Sequence, residues 1–400
     1  MAGRALNGVV TLYRDAFGGL PRLTWLLCLA AFINRCGAMV VPFLGLYAKE
    51  RFGLDAEQAG LLVGTYGVGA FAGSWLGGFV TDRLGPVRTQ VVALAAAGLW
   101  MQVMIAVADV ALLFAGVLVL GVLNDAFRPG SITAVAISCP PELRRRALAL
   151  NRLALNLGWS FGPTIGGYLV ATRFELMFVA DGGTCVAAAL FLAFTFRRWT
   201  PPPPPPRQKG DSLLPFRDGR FLWLMGANLV VLIAFMQYFT TGSRVFEESG
   251  WSKTRIGWFL AINPIMITLF EMIVVHTLRG HRALPVIAIG SAVIGLGHLF
   301  LLLPLGGTSI VLAMIVVAGG ELLQMPMLGA HVNDHAPPQV RGAYNGALGM
   351  TFCLALVLAP VAGGFVYQHA GAAALWWMCA ALGLLGALCF FAAARRERTT

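Results

Sequence analysis

Charge is what this sequence has least of. Asp, Glu, Lys and Arg make up 12% of its 400 residues, against about a quarter in a soluble domain. So little charge among 58% hydrophobic residues excludes a water-soluble globule and places the chain in a lipid bilayer. A net charge of +11 would point to nucleic acid in a soluble protein. Here the charges are too dispersed to build a basic groove, so no nucleic-acid partner is expected. Lysine is nearly absent: Lys49, Lys209 and Lys253 are the only three. None of them follows a GxxxxG, which excludes ATP-driven transport by this chain alone. The seven cysteines contain no CxxC and read as free structural thiols. The six histidines contain no HExxH, so neither a metal site nor another cofactor is expected. A cleavable signal is missing too, because the first apolar run starts near Leu23 and continues into a full span.

What the sequence does have is long apolar runs. They fall near residues 22–48, 57–81, 86–107, 109–136, 144–171, 173–196, 219–246, 252–277, 282–303, 307–331, 340–368 and 371–394. Twelve spans need about 240 residues within the bilayer, which this length supplies. Shifting the chain by 197 residues lays Pro129 on Pro326, Arg144 on Arg341, Pro163 on Pro360, and Gly166 and Gly167 on Gly363 and Gly364. Such an internal repeat marks transporters that rock one half against the other. The expected fold is therefore an all-α membrane protein with twelve transmembrane helices in two pseudo-symmetric six-helix bundles, residues 22–196 and 219–394. Residues 1–21 form an N-terminal segment with a short interfacial helix, residues 197–218 a proline-rich linker, and residues 395–400 a tail. Pro201 to Pro206 hold the linker in extended polyproline II, about 19 Å long.

Basic residues set the orientation. With the N-terminus inside, that side holds twenty Lys and Arg and the other side five. Both termini and the linker are then cytoplasmic. Arginine outnumbers lysine 26 to 3 amid abundant Ala and Gly, which suggests a GC-rich bacterial genome and hence the bacterial inner membrane.

Eight charges remain inside the spans: Arg35, Arg128, Arg152 and Arg244 against Asp125, Asp181, Glu271 and Glu321. Each costs about 2.5 to 3.5 kcal/mol at a helix centre, so each is expected to be paired or to face a water-filled cavity. Asp125 and Arg128, spaced i, i+3, share a helix face and either pair or flank one solute. Glu321 lies one residue from the repeat partner of Asp125, so two acids stand at pseudo-symmetric depths. Alternating access needs a proton or cation site there. Asp181, nearer a span end, reads as structural, His298 and His331 as satisfied bundle histidines, and Tyr66, Trp159 and Tyr238 as cavity linings. Two motifs stand out. Gly78 to Arg88 reads GFVTDRLGPVR at the end of the second span, and Gly158 to Gly167 reads GWSFGPTIGG in the fifth. In the fifth span, small residues four apart let helices approach closely and the proline bends the helix.

With these motifs the sequence resembles the major facilitator superfamily over its whole length. Gly78, Asp82, Arg83 and Gly85 resemble that family's GxxxDRxGRR loop, which implies a conformational latch. Pro86 and Val87 depart from its basic residues and Arg88 comes late. Gly158, Gly162, Pro163, Gly166 and Gly167 match GxxxGPxxGG, which the resemblance links to drug:H+ antiporters. The resemblance also implies that spans one, four, seven and ten line a central cavity. This adds Asn34, Gln237 and Gln324 to Arg35, Asp125, Arg128, Tyr238, Arg244 and Glu321; Arg152 and Glu271 complete the candidate substrate and proton pathway. The expected activity is not enzymatic. It is secondary transport of small molecules driven by a proton gradient, most simply the export of drug-like or amphipathic compounds by a monomer. Symport or facilitated uptake of a metabolite, a non-transporting sensor and lipid flipping stay open as alternatives.

Overall fold

The computed structural model describes residues 17–199, 213–278 and 280–399. Most of the N-terminal segment, the hexaproline and the last residue of the tail lie outside the described residues. Among the described residues every regular element is helical. The helices are α1 (Arg22–Cys36), α2 (Val40–Phe52), α3 (Ala56–Leu84), α4 (Pro86–Ile105), α5 (Val110–Ile137), α6 (Arg144–Thr172) and α7 (Glu175–Thr195). They continue with α8 (Gly219–Met236), α9 (Thr241–Glu248), α10 (Lys253–Thr277), α11 (Ala283–Gly297), α12 (Gly307–His335) and α13 (Arg341–Thr399). Ten helical stretches among the described residues are long and apolar enough to cross a membrane. Backbone polar groups must be satisfied internally in lipid, which is why such a chain is helical throughout. α6 is not among the ten, because arginines fill its first turns and Gly, Ser, Asn and Pro dilute the rest.

The helices stop where the sequence dictates. Gly85, with φ of 84°, ends α3 and hands over to Pro86 at the first position of α4, where the missing N–H costs nothing. Asp109 caps α5 by accepting from the Leu112 N–H at 3.1 Å. α13 is two helices joined at Gly371, whose φ of 78° suits only glycine.

Two spans are broken in mid-course. Between α1 and α2 the chain leaves the helix at Gly37 to Met39, and between α8 and α9 it does so at Gln237 to Thr240. These breaks fall at nearly corresponding positions of the 197-residue repeat. Each exposes backbone groups that a continuous helix would satisfy within itself.

The chain forms two compact units: Met1–Phe43, Val68–Pro204 and Ser252–Ile273 in one, Leu44–Gly67, Pro205–Trp251 and Val274–Thr400 in the other. In the first, α1 packs on α6 and α7, and α4 on α5 and α7. In the second, α8 packs on α13, and α11 on α12 and α13. Each unit contains the same helix crossing. In the first, a Cβ on Gly257 of α10 would run into the Pro163 carbonyl oxygen and stand 3.2 Å from the Gly167 Cα of α6. In the second, a Cβ on Gly60 of α3 would run into the Pro360 carbonyl oxygen and stand 3.3 Å from the Gly364 Cα of α13. All three residue pairs, Gly60 and Gly257, Pro163 and Pro360, Gly167 and Gly364, lie 197 apart. The repeat is thus a repeat of backbone contact.

Candidate functional site

In the first unit the break after α1 organises the polar groups. Asn34 donates from Nδ2 to the Cys185 Sγ at 3.3 Å. The Val40 N–H that opens α2 donates to Asp181 Oδ2 at 3.3 Å. Asp181 is 5% exposed and lies within electrostatic reach of Arg35. The acid of α7 therefore supplies the partner that the broken helix lacks.

α6 runs directly beneath this break. A Cβ on Gly158 would stand 2.6 Å from the Arg35 Cβ, one on Gly162 2.8 Å from the Ala38 carbonyl oxygen, and one on Gly166 2.7 Å from the Met39 Cβ. The GxxxGPxxGG motif therefore has two faces. Gly158, Gly162 and Gly166 seat the α1 break, while Pro163 and Gly167 seat α10.

Two charge pairs lie in the same unit. Asp125 and Arg128 approach at 3.9 Å on one face of α5, with side chains 14% and 38% exposed. Arg152 of α6 meets Glu271 of α10 at 3.1 Å, with side chains 39% and 15% exposed. The 3.9 Å pair is longer than a tight charge-assisted hydrogen bond. The 3.1 Å pair binds α6 to α10 beside the Gly257 crossing.

In the second unit Gln237 lies in the break after α8. Its Nε2 donates to the Ala359 carbonyl of α13 at 2.8 Å, and its Oε1 has no hydrogen-bond partner among the described residues. Tyr238 is 1% exposed and stacks on His298 at 4.5 Å between ring centroids. His298 binds the Ile294 carbonyl through Nδ1 at 2.8 Å. Its Nε2 has no hydrogen-bond partner among the described residues. Glu321 is 8% exposed on α12. One turn on, Gln324 donates to Asn228 Oδ1 at 2.8 Å, and Asn228 donates to Thr351 Oγ1 at 2.8 Å. This network joins α12, α8 and α13.

Arg244 stands apart from the mid-span groups. It donates to Glu248 at 2.9 Å and to the Leu54 carbonyl at 3.0 Å. Lys49 joins the cluster at 3.0 Å from Glu247 and 3.1 Å from Glu248, and the Tyr367 hydroxyl donates to Glu248. A small cavity opens beside it, lined by Gly45, Gly60, Thr240, Thr241, Arg244 and Pro360 among others.

The loop motif at Gly78 to Arg88 lies on an exposed helix end. Arg83 covers the Phe79 ring at 4.1 Å, Asp82 and Arg88 are exposed, and the side-chain position of Gly78 is open.

Sequence reasoning passed over Lys49, Glu247 and Glu248 as ordinary loop charges, and Asn228 and Thr351 altogether. It also missed that His331 and His335 form an HxxxH on α12, a spacing that puts both on one helix face. No group of three or more His, Cys, Asp or Glu suited to a metal occurs among the described residues.

Comparison with known proteins identifies the family and the fold. The family model of the Major Facilitator Superfamily matches residues 27–360 and again 245–400. The MFS-type transporter YqjV of Bacillus subtilis is 22% identical over 362 residues, 88% of this chain and 87% of that protein. A Na(+), Li(+), K(+)/H(+) antiporter of Planococcus maritimus is 22% identical over 366 residues, 82% of this chain and 86% of that protein. Among solved structures, a POT family transporter in complex with 5-aminolevulinic acid shares the fold, with a TM-score of 0.80 and 15% identity over 96% of this chain and 97% of that one. Broken spans, mirrored proline–glycine crossings and intramembrane charge pairs thus sit on a recognised transporter fold, and the chain belongs to the Major Facilitator Superfamily as a multi-pass membrane transporter.

Proposed function

We propose that this transporter is a proton-coupled antiporter that exports small drug-like or amphipathic compounds from the bacterial cytoplasm. Asp125 carries the reading. Its carboxylate lies in an apolar helix, 3.9 Å from Arg128 and 14% exposed. A group placed so is an acid that a proton or a cationic solute can claim in turn. Outside protons neutralise it and release the solute, and deprotonation towards the cytoplasm restores the loading state. Glu321, buried on α12 and one residue from the repeat partner of Asp125, is the second acid of the cycle. The seating of α1 on the glycines of α6, and a relative named as a cation/proton antiporter, support exchange over uptake.

The same reading supplies the topology. α6 and the two halves of α13 complete twelve crossings, with both termini inside, the orientation that the distribution of basic residues favours. The test uses proteoliposomes with ethidium, Na+ and Li+ as probes. An imposed pH gradient should drive movement of at least one probe, and Asp125→Asn should abolish that movement while the protein stays folded. Gradient-driven movement that survives Asp125→Asn undamaged, or no movement of any probe, would count against the proposal.

A further inference from the structure

One carboxylate at the arginine-rich end of the second unit gathers three helix ends. Asp218 stands at the N-cap of α8, where its Oδ1 accepts from the Arg220 and Phe221 N–H groups, each at 3.1 Å. Its Oδ2 accepts from His335 Nε2, at the last turn of α12, at 2.6 Å and from the Tyr344 hydroxyl, in the first turn of α13, at 2.9 Å. Tyr344 is 2% exposed and packs on Phe221 with ring centroids 4.6 Å apart. Four donors on one acid make this a built node and more than an ordinary cap.

We propose that Asp218, His335 and Tyr344 form a clasp on the ends of α8, α12 and α13 that protonation of His335 tightens. A neutral imidazole already donates one hydrogen bond through Nε2. Adding a proton at Nδ1 turns that bond into a charge-assisted one to the carboxylate. The His335 side chain is 27% exposed, so water delivers the proton directly. The titratable groups around it are Asp218 and Tyr344 from α8 and α13, and His331 and Asp334 from its own helix. The His331 ring is stacked 6.4 Å away and is itself 3.7 Å from Glu397. Arg217 and Arg220 flank Asp218, and Arg341 opens α13. Two acids besides Asp218 thus offset the neighbouring arginines. Acid at this end holds the three helix ends together. Calling that end cytoplasmic rests on the proposed topology, but the clasp and its test do not.

The test is hydrogen–deuterium exchange of the full chain in nanodiscs near pH 5.5 and pH 8, corrected for intrinsic exchange. Peptides covering 214–224 and 336–346 should be about fivefold better protected at the lower pH. His335→Gln keeps a neutral donor and should retain the pH 8 protection without the acid gain. Tyr344→Phe should lower protection at both pH values and keep the gain. Equal wild-type protection at the two pH values, or an acid gain that persists in His335→Gln, overturns the proposal.

Discussion

A charged residue inside a lipid-spanning helix is tolerated only with a partner, and the partners here differ in kind. Arg152 and Glu271 stand at hydrogen-bonding distance on separate helices, so losing one strands the other. Glu271→Gln should destabilise the protein by about 1 to 2 kcal/mol, discounted for the exposure of the arginine. Arg152→Gln combined with Glu271→Gln should recover part of that loss, as a double-mutant cycle on detergent-purified protein would register. Asp218 yields a pH prediction. Burial opposes its charge, but the hydrogen bonds from His335, the Phe221 N–H and Tyr344 outweigh it, so its carboxyl titrates below the ordinary 3.8. A depressed carboxylate stabilises the fold fully above its ordinary value and loses that contribution as pH falls through its lower folded value. Asp218→Asn should therefore cost stability near neutrality and nothing further in strong acid, as thermal melts at several pH values will report.

Among the elements, the mirrored crossings make the sharpest claim. Gly60→Val and Gly257→Val each force side-chain bulk against a proline carbonyl, and each should destabilise by about 1 to 3 kcal/mol. Near-equal losses in thermal melts would mark them as copies of one contact. Hydropathy placed most of these helices well: runs expected at 86–107, 109–136 and 144–171 appear as Pro86–Ile105, Val110–Ile137 and Arg144–Thr172. It did not reveal the interruptions at Gly37 to Met39 and Gln237 to Thr240, because an apolar run reads the same whether or not its backbone stays helical. Spacing within one helix was also legible, as with Asp125 and Arg128. Pairings between helices, such as Arg152 with Glu271 or Gln324 with Asn228, were not, since nothing in a single sequence says which helix faces which. The function of Gly158, Gly162 and Gly166 lay between these cases. Their spacing announced close packing, and only the coordinates name the α1 break as what they pack against.

For the molecule as a whole, the distribution of charge becomes a statement about orientation. Twenty basic residues on one side of the proposed topology against five on the other predict an orientation that impermeant labelling can check. In a cysteine-free background, Ser249→Cys in intact cells should react with a membrane-impermeant maleimide, and Ser212→Cys only after permeabilisation. The proposed antiport requires that proton and solute use the same carboxylates at different times, and this sets the most direct measurement of all. In proteoliposomes carrying a lumenal pH dye, an imposed gradient of a transported probe such as ethidium, with no pH gradient applied, should drive protons in the direction opposite to the probe. The dye should fall silent in Asp125→Asn. Protons moving with the probe, or a probe that crosses without moving protons at all, would contradict the account.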